Sequence, residues 1–193
     1  MCHALLQDPR FFALLLQIDR EQAAQTQAGG CACSGRLHRA DYPRKPRGCL
    51  PEFQSSFEHR FSFCCSVCRK RTTAKSVRFL GRRVYLALVV VLSSSRHAGS
   101  NSAAMLAGLA VPRRTLERWR LWWRSAFTKT PLWLGACGSF MPTLAAEHLP
   151  GGLLERFVGA DALSRLSALL RFLTPLTVRI AEPFTAPFGG HAA

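Results

Sequence analysis

Five of the eight cysteines fall in two tight groups, Cys31-Ala-Cys33 and Cys64-Cys65-Ser-Val-Cys68. Two pairs, each beside a turn and the second at C-x-x-C spacing, suit a tetrahedral zinc site. Such a site takes four deprotonated soft ligands, which two tight knuckles can present from two hairpins. Cys31, Cys33, Cys65 and Cys68 are the expected ligands. Cys64 competes for the second pair, and His38 can replace a member of the first, whose C-x-C spacing is one residue short of the usual knuckle. Gly29, Gly30 and Gly35 flank that first pair, and glycine permits the sharp turn a knuckle requires. Redox chemistry at Cys65 and Cys68 lacks the strand–helix context it uses elsewhere. Cys2, Cys49 and Cys137 read as incidental thiols, and His59 as a core residue rather than a ligand. The stretch between the pairs is too small to bury a core of its own, so bound Zn2+ is expected to supply folding free energy there.

Charge surrounds these cysteines. The 193 residues carry 26 basic and 11 acidic side chains, a formal net charge of +15. Residues 31–83 hold +10 of it and residues 84–130 hold +6, while the segments on either side sum to −1 and 0. Only Lys45, Lys70, Lys75 and Lys129 are lysine. Arginine forms bidentate contacts with phosphate and guanine, so the concentrated excess points to a polyanion. Arg36, Arg39, Arg44, Lys45 and Arg47 lie on a proline-stiffened loop after the first cysteine pair, and Arg69, Lys70 and Arg71 follow the second. Arms of this kind suit minor-groove or backbone contacts to double-stranded DNA.

A second constellation follows at residues 102–124. A small apolar helix, a turn near Ala110-Val111 and a helix opened by Pro112 read as helix–turn–helix. On a helical wheel Leu116, Trp119, Trp123, Ala126 and Phe127 share one face. Arg114, Glu117, Arg118 and Arg124 lie opposite, with Arg113 and Arg120 at the margin. Arg113, Arg114, Glu117 and Arg118 are placed to reach base edges, and Arg120 and Arg124 to meet phosphates.

The order of these motifs resembles a known kind of protein. A C-x-C pair, then C-x-x-C-R-x-R-T from Cys65 to Thr72, then V-P-R-R-T-L-x-R-W is similar to zinc-ribbon plus helix-turn-helix DNA-binding proteins of bacterial insertion sequences. The likeness covers residues 31–127, and it implies recognition of element ends or of an operator. It also implies work beside a transposase, as an accessory or regulatory subunit of a mobile element.

Catalysis finds little support. Two-metal nuclease chemistry needs three acidic ligands on a sizeable sheet. The basic region offers Asp41, Glu52, Glu58 and Glu117, and the last third offers Glu147, Glu155, Asp161 and Glu182 in a helical, apolar setting. No two of the six histidines form H-x-H, and Tyr42 and Tyr85 are the only tyrosines. The expectation is a non-enzymatic, sequence-specific DNA-binding protein that depends on zinc. An RNA-binding zinc ribbon using Phe57, Phe61 and Phe63 is the alternative, with a recombinase or nuclease of unrecognised active site behind it.

The elements that must position these groups are mainly α, with a small β zinc ribbon. Residues 1–30 hold an N-terminal helix over 9–28, with Asp8 as N-cap, Pro9 at its first position and Gly29-Gly30 at its end. Residues 31–80 form the ribbon, in which Phe57, His59, Phe61 and Phe63 alternate with Glu58, Arg60 and Ser62 as in a half-buried strand. Residues 81–130 form the helix–turn–helix bundle, from a helix over 82–95, a turn at 97–102 and helices over 103–109 and 112–127. Residues 131–180 are a helical assembly segment whose leucine helix starts at Asp161 and could join two copies of the chain, and residues 181–193 are a flexible tail. The longest aliphatic run, Val84 to Leu92, is far short of the ~20 residues of a spanning helix. No signal peptide is read at the start, so a cytoplasmic, nucleoid-associated protein with reduced thiols is expected.

Overall fold

A computed structural model describes residues 4–95 and 111–178. Helix α1 (Pro9–Ala28) begins where the sequence expects: the Asp8 carboxylate accepts from the backbone N–H of Arg10 at 2.9 Å, and proline occupies the first turn. It ends as the N–H of Gly29 turns back to the Gln25 carbonyl and Gly30 takes a φ of 67°. Phe11, Phe12, Leu15, Leu16 and Ile18 form its buried face.

Next come β1 (Leu37–Arg39), β2 (Tyr42–Pro43), α2 (Gln54–Phe57), β3 (His59–Arg60), β4 (Ser62–Cys65) and β5 (Arg71–Thr73). Strands β1, β4 and β5 make an antiparallel sheet with β4 in the middle, pairing Leu37 with Cys65 and Cys64 with Arg71. Strands β2 and β3 pair separately. The single alternating strand expected over residues 57–63 is therefore broken. Phe57 ends α2, the chain changes partners at Phe61, and Arg60 is buried while His59 is exposed, the reverse of the simple alternation.

Helix α3 (Ala87–Ser94) starts later than the 82–95 reading. Residues ahead of it are extended because Arg47 bridges to Tyr85 and Phe79 to Leu86. All eight of its residues are buried, as suits a helix that is apolar all round. The expected turn at 97–102 and helix at 103–109 lie outside the described residues. Helix α4 (Arg113–Ser125), α5 (Pro131–Ala136), α6 (Gly151–Glu155) and α7 (Ala162–Phe172) complete the set, and α4, α6 and α7 pack around α3. Asp161 caps α7, accepting from Ser164 N–H at 2.7 Å. The fold is thus mainly α with a small antiparallel sheet, and no described helix is long and apolar enough to cross a membrane.

Buried apolar residues form one cluster running from Leu5 to Leu173. Leu37, Phe57, Phe61 and Phe63 of the cysteine-bearing region belong to it together with Phe11, Phe12 and Leu15 of α1. The region thus draws on a core shared with α1, to which a bound metal would add its own folding free energy. Each such side chain removed from water is worth roughly 1.5–3 kcal/mol, a contribution shared with α1 and the helices. One polar tie runs through this core. Asp19 of α1 meets Arg78 at 2.7 Å with both side chains fully buried. Val77 N–H donates to the same carboxylate, and the remaining Arg78 donors reach the carbonyls of Ser56 and His59.

Candidate metal centre and the basic surfaces beside it

Strand pairing brings the two cysteine groups together. The first pair sits just before β1, and β1 lies antiparallel to β4, which ends on Cys65. The Ser66 N–H donates to the Arg36 carbonyl at 2.9 Å, stitching one knuckle to the other. Each knuckle closes alike: Ser34 N–H returns to the Cys31 carbonyl and Arg69 N–H to that of Cys65, with Ser34 and Arg69 in the left-handed region at φ 63° and 58°. Gly35 supplies the space between, since a methyl group there would overlap the Cys65 sulfur and crowd Val67.

The sulfurs of Cys31, Cys33, Cys65 and Cys68 lie within 4.8 Å of one another and can hold a metal ion. Three of their separations are 3.4, 3.5 and 3.6 Å, too long for disulfides, and all four thiols are free. A tetrahedron with metal–sulfur bonds of ~2.3 Å has edges of about 3.8 Å, so the array is close to the size a zinc ion asks for. The two alternatives separate from it. Cys64 points to the other side of β4, its sulfur nearest the carbonyls of Arg69 and Cys65. His38 stands opposite Cys64 on an exposed edge and takes no part in the group.

Backbone donors prepare these sulfurs for ionisation. The N–H of Cys68, helped by that of Val67, holds the Cys65 thiol down at about 6 despite its burial. The N–H of Gly35 lowers the Cys33 thiol. At Cys68 the Lys70 N–H also pulls down, but the neighbouring sulfurs of Cys33, Cys31 and Cys65 together with burial outweigh it and push the thiol up to about 12. Four thiolates in contact repel one another, and a divalent cation is the group that lets all four ionise together.

The basic residues divide by what they touch. Arg36, Arg69 and Lys70 are exposed around the metal corner, and Lys45 is exposed on its loop. Arg39 pairs with Asp41 at 2.7 Å and lies over the Phe61 ring. Arg44 donates to the carbonyls of Arg83 and Gly81 and covers Phe79, which fixes the loop to the protein. Arg47 is exposed, with its guanidinium 5.8 Å from the Tyr85 ring centre and its backbone bonded to Val84 and Leu86. Arg71 donates to the Ala40 carbonyl and Ser62 hydroxyl.

On α4 the two faces are sharply divided. Leu116, Trp119 and Trp123 are buried, followed by Phe127, while Arg113, Arg114, Glu117, Arg118 and Arg124 are exposed and Arg120 is half-buried at the flank. Ala126, placed by the wheel on the apolar face, is exposed, because the helix tightens into a 3-10 turn at Phe127. Arg113 pairs with Glu117 at 2.9 Å, and Leu121 stands 61% exposed on the outward side. Trp119 packs edge-on against Tyr85, and the Arg83 guanidinium lies 4.0 Å from the Trp122 ring centre. Phe57, Phe61 and Phe63, the aromatics of the RNA-binding alternative, are buried and offer no face on which a base can stack.

Two buried arginines, Arg60 and Arg78, escaped the sequence reading, since they sit among cations that read as surface. One signal existed for the tie to α1: Asp19 falls three and four residues after Leu16 and Leu15 on the apolar stripe, where a lone carboxylate demands a cation. Comparison with protein-family models, with curated proteins and with solved structures returned no match for this chain.

Proposed function

We propose that this chain is a zinc-binding, sequence-specific, double-stranded DNA-binding protein without catalytic activity of its own. The observation that carries the reading is α4: tryptophans seated in the core on one side, and four exposed arginines on the other, within a chain of charge +15. A rigidly backed helix with an arginine face is the arrangement that enters a major groove and reads guanine. The four-cysteine centre supports zinc as the metal, because four thiolates in a closed tetrahedron are a structural zinc set. Zinc would fix the two knuckles and so direct Arg36, Arg69 and Lys70 toward the same duplex. The likeness to insertion-sequence proteins supports the further reading of an accessory or regulatory subunit that works with a transposase.

Selection of duplexes from a random pool by the zinc-loaded chain, followed by anisotropy on the selected site, tests this reading. The expected result is a defined site, lost selectivity on Arg114→Ala and Arg118→Ala, and a cost of ~1–3 kcal/mol for each base-reading arginine. Enrichment of no sequence, with both variants binding like wild type, would overturn it.

A further inference from the structure

A groove of about 1100 Å³ lies between the second half of α1, strand β5 and the segment following α7. Arg71, Lys75 and Arg82 line it along with the hydroxyl-bearing residues Tyr42, Thr72 and Thr73, and no Asp or Glu among the described residues does. Phosphate oxygens are bound by this mixture of arginine, lysine and hydroxyl donors. Lys75 and Arg82 are exposed, and their side chains make no ion pair or hydrogen bond with any described residue. Behind the wall sits Arg60, only 2% exposed. It donates through Nη2 to Thr177 of the groove, and its Nη1 has no partner among the described residues. This buried cation adds positive potential that solvent screens weakly.

The groove also joins the two surfaces already described. It begins at Arg71, next in the chain to Arg69 and Lys70 of the metal corner. It ends at Arg82, adjacent to Arg83, whose guanidinium rests on Trp122 of α4. We propose that this groove seats the sugar–phosphate backbone of one DNA strand, with Lys75 and Arg82 as phosphate contacts that set affinity and carry no base selectivity. The inference rests on the DNA-binding reading and extends it to a site between the metal corner and α4.

The test measures binding of the full zinc-loaded chain to a labelled random-sequence duplex, to its selected site and to a random-sequence single-stranded RNA over a range of salt concentrations. Wild type is compared with Lys75→Ala/Arg82→Ala and with Arg10→Ala/Lys129→Ala, which removes the same charge from exposed positions outside the groove. Each lost phosphate contact lowers the slope of log affinity against log salt by ~0.9, so the groove variant is expected to lose about two units of slope. Its affinity should fall on the order of tenfold to hundredfold at low salt, equally for both duplexes. The control variant is expected to stay within about threefold of wild type. A groove variant that behaves like the control overturns the inference while leaving the α4 reading intact if Arg114→Ala and Arg118→Ala still lose selectivity. Wild type that binds no duplex overturns both, and tighter binding to single-stranded RNA than to duplex overturns the choice of DNA.

Discussion

Cys65 is a readily ionised sulfur of the candidate metal centre, and its acidity has a direction that can be measured. Its folded value of about 6 lies below the 9.0 of an ordinary thiol, because the N–H groups of Cys68 and Val67 favour the thiolate. In metal-free protein, that preference contributes stability that is complete above about pH 9 and is lost as pH falls through 6. Cys68 runs the other way. Its folded value near 12 contributes below pH 9 and is lost as pH rises toward 12. Ultraviolet thiolate absorbance of the metal-free chain should therefore show one thiol ionising around pH 6, a step that Cys65→Ser removes. A first ionisation no lower than that of a free thiol would contradict the donor geometry. Protons compete with a metal for the same sulfurs, so metal retention should weaken in acid over this lower range.

At the scale of elements, α1 is held to the segment that follows β5 by Asp19 and Arg78, and to the cysteine-bearing region by apolar packing. Removing one partner leaves a buried charge uncompensated, so Asp19→Ala is expected to cost ~3–5 kcal/mol in urea unfolding. Replacing both residues by apolar side chains of matching volume should recover most of that loss. A single-variant cost below about 1 kcal/mol would mean that the pair is not what fastens α1. Helices whose ends carry their own chemistry were legible in the sequence: Asp8 and Pro9 open α1, Gly29 closes it, and Asp161 opens α7. The grouping of Cys31, Cys33, Cys65 and Cys68 was legible too, because C-x-x-C spacing favours Cys65 over Cys64, and the strand register then brings these four sulfurs together. Less legible were features decided by distant partners. Residues 82–86 look helical by pattern, yet Arg47 draws Tyr85 into an extended bridge. Arg60 and Arg78 look like surface cations until α1 supplies the carboxylate and carbonyls supply the acceptors. Arg44 resembles a free arm residue, and only the fold reveals the Arg83 carbonyl it holds.

For the whole molecule, the shared core changes what metal removal should do. A metal held by the four sulfurs would tie the knuckles together, whereas Leu37, Phe57, Phe61 and Phe63 are packed against α1 and the helices in one core. Chelation is therefore expected to lower amide-exchange protection mainly at residues 31–37 and 64–71, with α1, α3 and α7 still protected. Loss of protection across all helices at once would assign the metal a global role. A core that runs from Leu5 to Leu173 also governs what can be done with the parts. Residues 31–80 cannot be grafted onto another scaffold as a self-standing finger, because their sheet would leave its lining behind in the donor. The metal corner, the groove and the arginine helix must be inherited, engineered or lost as one piece.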